Sequence, residues 1–305
     1  MRCPTVGEGF TPPVQLAIVL CPTGLVGEAH RASRADNTNT LQIPVCRSYS
    51  KTNYNLTPGF VHAKIQKGGG FVKKCYPGGK KKAFNITYDD GVLQDVRFVE
   101  MLNRYGLKGT FNLNSQLMRQ EFSWTHPNGM EVKRLSLQAA QGLYDGHEIA
   151  SHTCTHPYMQ TLTDERLWHE MKADKDALEQ AFGREVAGFA VPFDYYDERI
   201  AACARDCGFA YARMSTVSGS FAPCRDWFHW KTGVYHVEPN LTNFVSDFLH
   251  TQQELAVCQI VGHSYDLDAE NLWGTMELIC AAVSGCEDVW FCTNLELVEF
   301  LKNNT

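Results

Sequence analysis

Two adjacent aspartates, Asp89 and Asp90, lie at the end of an apolar, β-prone run and directly before a glycine, in the segment NITYDDG. Adjacent carboxylates repel each other, so holding them side by side does not by itself stabilise a fold. One of the two could bind a metal ion while the other accepts a proton. Alternatively, the pair could cap a following helix, where aspartate is a favoured residue.

A second group of potential ligands is the histidine pair of the segment SHTCTH, His152 and His156. Their spacing of four lets both imidazoles face one point, although such pairs also occur where no metal binds. Two histidines and one carboxylate leave open positions on a divalent ion, which is typical of catalytic rather than structural sites. The sequence therefore predicts that one aspartate binds an ion and that the other is a general base on metal-activated water.

The elements that must position these residues alternate along the chain from about residue 71. Short β-prone runs are separated by amphipathic stretches, of which residues 92–106 and 164–183 are clear helices, each ending at a glycine. Roughly seven strand–helix repeats predict a parallel sheet that is closed, or nearly closed, into a barrel. The predicted strands are 83–88, 109–113, 147–151, 186–191, 209–213, 257–262 and 288–292.

The residues with unusual chemistry lie at the carboxyl ends of the predicted strands. In a parallel (β/α) barrel the chemistry gathers at this end. Five segments of the chain should therefore meet at one rim, and they supply Asp89 and Asp90, His152 and His156, Pro192 and Phe193, Arg213, and His263.

Four of these segments, ITYDDG, SHTCTH, FAVPF and IVGHS, resemble the ordered motifs of the polysaccharide deacetylases, the family four carbohydrate esterases with a NodB-homology domain. The resemblance covers about residues 71–305 and implies a distorted seven-stranded (β/α) barrel, in agreement with the strand count. It implies that Asp89 is the catalytic base. It also implies that Asp90, His152 and His156 bind one divalent ion, usually zinc, although ligand type alone does not separate zinc from iron, cobalt or nickel.

The resemblance implies two further roles and contains one departure. The backbone N–H of Phe193 would help to hold the oxyanion, and His263 would protonate the leaving amine, unless it is a core histidine. The family's third motif begins with an arginine that orients the base, but Ala190 stands at this position. Arg213, which could instead be a surface arginine, is predicted to replace it by contacting Asp89 directly.

Several aromatic residues near the predicted rim could stack on sugar rings, although core packing is the default role for any one of them. Trp227 and Trp230, in CRDWFHW, are the better candidates because polar residues flank them. Pro192 and Tyr195 complete the predicted substrate contacts.

Charge and cysteine content narrow the class of protein. The net charge of the 305 residues is -6, although the first 82 hold 12 basic and three acidic residues. The rest of the chain is therefore acidic, which argues against nucleic acid as a partner. The 12 cysteines include no CxxC pair, so buried free thiols in a reducing compartment are favoured over a disulfide framework.

Residues 1–70 differ in composition from the rest of the chain. They are rich in Thr, Asn, Gly and Pro and lack periodicity, so we predict a poorly ordered basic leader that activity does not require, before a catalytic domain at 71–305. The apolar stretch 14–21 is too short to span a bilayer and weak as a signal peptide. We therefore expect a cytoplasmic location, with secretion or a cell-surface location as the alternative that the family resemblance implies.

These features together predict a metal-dependent hydrolase that removes N-acetyl groups, or alternatively O-acetyl groups, from a carbohydrate. The alternatives are an amidase of the same superfamily acting on a non-sugar amide, and a carbohydrate-binding protein that lost catalysis with the motif arginine. A two-histidine, one-carboxylate iron oxygenase would use the same ligands, but it would leave the second aspartate and His263 unexplained.

Overall fold

The computed structural model of the protein describes residues 75–304, so the predicted leader at 1–70 lies outside the described residues. The strands are β1 (Lys82–Asp89), β2 (Gly109–Leu113), β3 (Ser123–Thr125), β4 (Glu131–Lys133), β5 (Glu148–Ser151), β6 (Gly188–Ala190), β7 (Tyr211–Val217), β8 (Trp230–Thr232), β9 (Val234–Tyr235), β10 (Ala256–Gly262) and β11 (Val289–Phe291). The α-helices are α1 (Asp95–Arg104), α2 (Ser115–Arg119), α3 (Asp164–Phe182), α4 (Glu198–Asp206), α5 (Leu241–His250), α6 (Ser264–Ala269), α7 (Trp273–Ser284) and α8 (Asn294–Asn304).

Eight of the strands form a nearly closed parallel barrel. Their order is β8, β7, β6, β5, β2, β1, β10, β9, and neighbouring strands run parallel. Only Gly233 separates β8 from β9, so the chain pairs first with β7 and then with β10 and behaves as one interrupted strand. The barrel therefore has seven strand positions, and the predicted distorted seven-stranded (β/α) barrel is confirmed.

The segment that closes the barrel differs from the predicted one. All seven predicted strands exist, but β11, predicted as the last of them, pairs with residues 82–84 of β1 outside this ring. Residues 230–235 close the barrel instead, and they escaped prediction because Gly233 divides them into two very short runs. Glycine is required there, because a Cβ at Gly233 would lie 2.7 Å from the backbone oxygen of Gln259.

Alternation along β1 separates an apolar environment from a polar one. Ile86 and Tyr88 face the helices and belong to the main core, where burying a side chain such as Ile86 contributes roughly 1.5–3 kcal/mol. Thr87 and Asp89 face the barrel interior, where both accept hydrogen bonds from the Asn112 side chain. The period of two that defines a strand therefore holds Asp89 in a buried polar interior and leaves the apolar core between strands and helices.

Helix α3 has nearly the predicted bounds, because its end signals are strong. Thr163 accepts a hydrogen bond from the Arg166 backbone as N-cap, and Gly183 ends the helix with a φ of 65°. Within residues 75–304, no helix combines the length and the apolar character that crossing a bilayer requires.

Candidate active site

The two aspartates of the first motif lie where β1 ends. Asp89 is the last residue of the strand, and Asp90 follows with a φ of 89°. Gly91 continues the turn with a φ of 64°, and a Cβ there would lie 2.9 Å from the Leu113 side chain, so glycine is required. Helix α1 begins only at Asp95, so neither aspartate of the pair caps it. The helix-capping alternative is therefore wrong.

Asp89 is buried and ionised. Its Oδ1 accepts hydrogen bonds from Asn112 Nδ2 at 2.8 Å and from the Arg213 guanidinium. Burial opposes ionisation, but the charge of Arg213, followed by that of protonated His263, holds the pKa of Asp89 below its ordinary value. A carboxylate that stays charged at neutral pH can accept a proton.

Arg213 reaches Asp89 from the strand beside the incomplete third motif. In the parallel ladder between β6 and β7, Arg213 lies directly opposite Ala190, the position at which the family has its arginine. The predicted contact with Asp89 is present, and Arg213 is fully buried, so it is not a surface arginine. Strand β7 continues to Val217, so Arg213 lies within the strand and not at its end. Its catalytic role remains a prediction.

Asp90, His152 and His156 form a cluster whose potential ligand atoms all lie within 4.8 Å of one another. Asp90 Oδ1 is 3.9 Å from the Nε2 atom of each histidine, and this oxygen is buried without a hydrogen bond. The Nδ1 atom of His152 is engaged by the Ala190 carbonyl at 2.9 Å, which leaves Nε2 for a ligand. One carboxylate and two imidazoles whose ligand atoms converge in this way fit a divalent ion.

Both histidines of the cluster are held in the neutral form. Burial lowers the pKa of His152 to about 4, and it also lowers the pKa of His156 against the attraction of Asp90. A neutral imidazole is the form that binds a metal ion.

The loop that carries the two histidines is fixed by buried acidic residues of α3. Glu170 accepts hydrogen bonds from the backbone N–H and the hydroxyl of Thr155, both at 2.9 Å. Asp174, one turn further along α3, accepts from the Ser151 hydroxyl at 2.6 Å. The loop is irregular, with a φ of 53° at His156, so the histidines converge through these anchors and not through a helical turn.

A second buried arginine, Arg134, pairs with Asp90. Its NH2 lies 3.0 Å from Asp90 Oδ1, and its NH1 donates to the Asp90 carbonyl and to Asn114 Oδ1. Burial opposes the ionisation of Asp90, but Arg134, followed by protonated His263, holds the pKa of this carboxyl well below its usual range. Sequence analysis missed Arg134, because nothing in the segment EVKRLS distinguishes it from a surface arginine.

His263 lies beside the cluster, with its Nε2 3.9 Å from Asp90 Oδ2. Its Nδ1 is 3.1 Å from Asp266 Oδ2 and 2.7 Å from the Tyr235 hydroxyl. Burial disfavours the charged ring, but the hydrogen bond to Asp266 and the charges of Asp90 and Asp89 raise the pKa of His263 to about 9. Because the ring is partly exposed at the site, His263 is not a core histidine, and its protonated form can donate a proton.

Asp266 connects His263 to a buried network that sequence analysis missed. Its Oδ2 lies 3.2 Å from the Tyr235 hydroxyl and 3.2 Å from His236 Nε2, and His236 Nδ1 contacts the Tyr88 hydroxyl at 2.5 Å. A carboxylate held in this way keeps the proton of His263 on Nδ1 and turns Nε2 toward the site. The only sequence signal for Asp266 is its position three residues after His263.

The third motif forms a turn with unusual backbone geometry. Phe193 and Asp194 have φ values of 54° and 61°, a region that side chains other than glycine rarely adopt. Asp194 holds the turn against β7 by accepting hydrogen bonds from the Ser215 backbone at 2.5 Å and from the Thr216 hydroxyl. Such geometry persists only where surrounding contacts enforce it, and it concentrates at functional sites.

The predicted substrate contacts of the third motif lie beside the metal cluster. The Phe193 ring is half exposed, meets the His156 ring at 4.4 Å between centroids, and stacks on Tyr158 at 4.0 Å. Tyr195 is 47% exposed, whereas Pro192 is buried. The Phe193 ring borders the site, Tyr195 is exposed two residues further along and stays a predicted sugar contact, and Pro192 is too buried to be one.

Trp227 and Trp230 lie in a different part of the molecule. Trp230 is 3% exposed and packs on Tyr211 in a second core cluster, formed by the starts of several strands and by α8. Trp227 packs against this cluster under the Lys302 ammonium of α8. Both tryptophans therefore pack among residues at the starts of the strands. The prediction that Trp230 binds substrate is wrong, because polar neighbours in sequence do not exclude a buried position, whereas substrate contact by Trp227 stays a prediction.

A buried carboxyl near the site makes stability depend on pH. Asp95 accepts hydrogen bonds from the Ser264 hydroxyl at 2.5 Å and from the Tyr144 hydroxyl at 2.7 Å. Burial outweighs these bonds and raises its pKa from 3.8 to about 7. Between these values the native state binds a proton that the unfolded chain has lost. The free energy of unfolding should therefore fall as pH rises through this window.

Asp95→Asn should remove this dependence of the free energy of unfolding on pH. The free energy of unfolding of the variant minus that of the wild type should be roughly 2–3 kcal/mol larger at pH 8 than at pH 5. Urea unfolding at both pH values measures the change. Asp176→Asn, on the exposed side of α3, is the control and should show no such gain. An equal stability difference at pH 5 and pH 8 would mean that Asp95 titrates normally.

A model of the polysaccharide deacetylase family matches residues 77–212. This part of the chain belongs to the polysaccharide deacetylase family. The matched region contains Asp89 and Asp90, both histidines of the cluster and the third motif. It ends one residue before Arg213.

Two curated relatives align with 131 residues of this protein, 42% of the chain. Chitin deacetylase of Amylomyces rouxii is 29% identical, with 27% of its length covered, and peptidoglycan-N-acetylglucosamine deacetylase of Bacillus cereus is 26% identical, with 54% covered. The chain therefore spans about half or less of the relatives' own lengths. A solved structure from Mycobacterium smegmatis, provisionally assigned as a polysaccharide deacetylase, shares the fold at a TM-score of 0.54 and 16% identity, covering 75% of this chain and 92% of that one.

Proposed function

We propose that the protein is a metal-dependent hydrolase that removes N-acetyl groups from a carbohydrate. The observation that carries the proposal is the division of the aspartate pair between two environments. Asp89 is kept ionised by Arg213, whereas Asp90 pairs with Arg134 and has its Oδ1 3.9 Å from the Nε2 atoms of both His152 and His156. The two adjacent carboxylates can both be ionised, because each of them has its own electrostatic partner.

Asp90, His152 and His156 would hold the divalent ion, most simply zinc, given the donor set. When bound, the ion supplies a Lewis acid that polarises the acetyl carbonyl and makes a water more acidic. Asp89 accepts the proton of that water. Its Oδ1 already receives two hydrogen bonds, so Oδ2 is the oxygen that takes the proton.

The remaining groups handle the charge and the leaving amine. The oxygen of the deprotonated water bonds to the acetyl carbon, and the backbone N–H of Phe193 is proposed to stabilise the resulting oxyanion. His263 donates the proton on Nε2 to the nitrogen as the carbon–nitrogen bond breaks, giving acetate and a free amine. Asp266 and Tyr235 hold the other side of the ring, so Nε2 stays directed at the site.

An N-acetylated amino sugar is the proposed substrate. The names of the two curated relatives, a chitin deacetylase and a peptidoglycan-N-acetylglucosamine deacetylase, support this class. The exposed ring of Phe193 beside His156 supports it as well, because sugar rings pack against aromatic faces. O-acetylated sugars and non-sugar amides are the competing substrates for the same residues.

The test is acetate release from three substrate classes: oligomers of N-acetylglucosamine, an O-acetylated polysaccharide and a non-sugar acetamide. We expect acetate together with free amine from the first class alone. Removing the ion with a chelator should abolish the release, and adding zinc should restore it. Acetate from the non-sugar acetamide alone would establish the amidase alternative. Binding of the oligomers by metal-loaded protein without any acetate would establish the carbohydrate-binding alternative.

A further inference from the structure

Two separate segments of the chain supply the ligands of the metal cluster. Asp90 lies on the turn after β1, whereas His152 and His156 lie on the loop after β5. An ion needs all three ligand atoms at one point, so the two segments must be held in a fixed position relative to each other. Strand β2, which lies between β1 and β5 in the sheet, ends directly before Asn114.

Arg134 holds the segment that carries Asp90. Arg134 is buried, its NH2 lies 3.0 Å from Asp90 Oδ1, and its NH1 donates a hydrogen bond to the Asp90 carbonyl oxygen. One guanidinium therefore contacts both the side chain and the backbone of the same ligand residue. Because the nitrogens of a guanidinium form a rigid planar fork, these contacts fix the direction of the carboxylate as well as its place.

Asn114 holds the segment that carries the histidines. It is fully buried, and its Nδ2 donates hydrogen bonds to the carbonyl oxygens of His152 and, at 2.9 Å, of Thr153. Its Oδ1 accepts a hydrogen bond from Arg134 NH1 at 2.6 Å. The two ligand-bearing segments are therefore joined through these two side chains, here called the Arg134–Asn114 bridge.

The backbone places Arg134 where it can make these contacts. Strands β3 and β4 form a hairpin outside the barrel, and Arg134 directly follows β4. Arg134 pairs with Val92 in an isolated antiparallel bridge, and Leu135 donates a backbone hydrogen bond to the Gly91 carbonyl at 2.8 Å. The end of the hairpin is therefore fixed to the turn that carries Asp90.

Charge alone does not account for this arrangement. A positive charge beside a metal ligand by itself opposes the binding of a divalent cation. A lysine would supply the same charge, but it could not contact Asp90 twice and Asn114 once in a fixed geometry. We infer that the Arg134–Asn114 bridge positions the aspartate against the two histidines and thereby sets the affinity of the site for its ion. Arg134 and Asn114 are thus positioning residues of the metal site, and this inference rests on the metal site of the proposed function.

Zinc affinity tests the bridge without turnover. Zinc binding to the metal-free, full-length protein is measured by competition with a chelator of known affinity. Arg134→Lys keeps the positive charge and should weaken binding by ~10- to 100-fold, as for the loss of a group that orients a metal ligand. Arg134→Gln removes the charge as well and should also weaken binding. Wild-type affinity in Arg134→Lys, or tighter binding in Arg134→Gln, would show that Arg134 acts through its charge and would overturn the inference.

Asn114→Ala tests the other end of the bridge. It changes no charge and should weaken zinc binding by a similar factor. Because the bridge is broken once either end is lost, combining Asn114→Ala with Arg134→Lys should weaken binding little more than the larger single loss. Losses that multiply would mean that the two residues act independently, which would overturn the bridge. If the variant at one end does not fold, the affinity of the variant at the other end carries the same test.

Cobalt spectra and a matched control separate positioning from general damage. With cobalt in place of zinc, the visible absorption depends on the arrangement of the ligands, so each bridge variant should change the spectrum at saturating cobalt. Arg184→Lys alters a half-buried arginine that donates to the His147 and Tyr144 carbonyls, and it should change neither affinity nor spectrum. Thermal unfolding of the metal-free variants is measured beside the affinity. Lower stability with unchanged zinc affinity and cobalt spectrum would make the bridge a purely structural feature and overturn the inference.

The outcomes distinguish the inference from the proposed function. If the wild type binds zinc and the bridge variants bind it equally well, the inference fails and the proposed function stands. If the wild type does not bind zinc, the ligand assignment of the proposed function fails, and the inference fails with it. Zinc binding that depends on the bridge, without acetate release from any substrate, would support the inference and refute the proposed hydrolysis.

Discussion

Replacing His152 or His156 by alanine should remove the divalent ion and lower the rate of acetate release by ~10³-fold or more, since the ion supplies several kcal/mol of transition-state stabilisation. Each histidine lies 3.9 Å from the same oxygen of Asp90, so each contributes one of three ligand atoms. Two protein ligands rarely retain a catalytic ion. Metal content by elemental analysis, measured beside kcat, tests both parts of the expectation.

His156→Ala is the cleaner of the two variants. His152 is fully buried, and its Nδ1 engages the Ala190 carbonyl, so its removal also leaves a cavity and an unsatisfied backbone group. His156 is partly exposed and should cost less stability. His229→Ala, which removes a partly exposed histidine paired with Asp226, is the matched control and should retain ion and rate. Full metal content and full rate in His156→Ala would show that the ligands are misassigned.

Arg213→Ala should lower kcat by ~10²-fold or more, as for the loss of a positioning group, while metal content stays unchanged. The guanidinium donates to the buried Asp89 and is the strongest attraction that holds the pKa of that carboxyl down. Without it, the pKa of Asp89 should rise, because burial then acts with less opposition. Activity, which requires ionised Asp89, should therefore be lost at a higher pH on the acidic side of the pH–rate profile.

Two comparisons sharpen the Arg213 experiment. Arg213→Lys should give an intermediate loss, because the contact uses one guanidinium nitrogen, but a fully buried ammonium loses its charge more readily. Arg184→Ala removes a half-buried arginine that donates to the His147 and Tyr144 carbonyls near the amino ends of the strands. It should affect stability and not the pH–rate profile. An unchanged profile in Arg213→Ala would refute the replacement of the motif arginine and strengthen the sugar-binding alternative.

The parts of the site that sequence could predict are those carried by local pattern. The segments with Asp89 and with His152 combine residue type, spacing and a preceding strand, and the structure brings them together at the rim as expected. The contact of Arg213 with Asp89 was predictable because the strand that carries Arg213 lies parallel to and beside the strand of Ala190, although Arg213 lies within β7 and not at its end. The helix α3 was predictable from its capping residues and its periodicity.

The rest depends on pairing between distant segments. Arg134 gains its importance only because the hairpin folds back on the turn after β1, and no local feature encodes that contact. In the sequence, nothing distinguishes Glu170 from an ordinary helix residue. Its role depends on the irregular loop after β5, which donates a hydrogen bond to it. Trp230 has polar neighbours in sequence yet is buried, because the short segment that carries it closes the barrel.

The pairing of Ala190 with Arg213 has a consequence for the history of the protein. The two residues face each other across adjacent strands, and the interior beside Asp89 has one guanidinium supplied from position 213. If ancestors had the arginine at position 190, its move to position 213 passed through an intermediate chain. That chain had arginine at both positions or at neither. Two would crowd like charges in a buried space, and none would leave the base without its partner. Natural relatives should therefore carry arginine at one position or the other, and the two positions should change together.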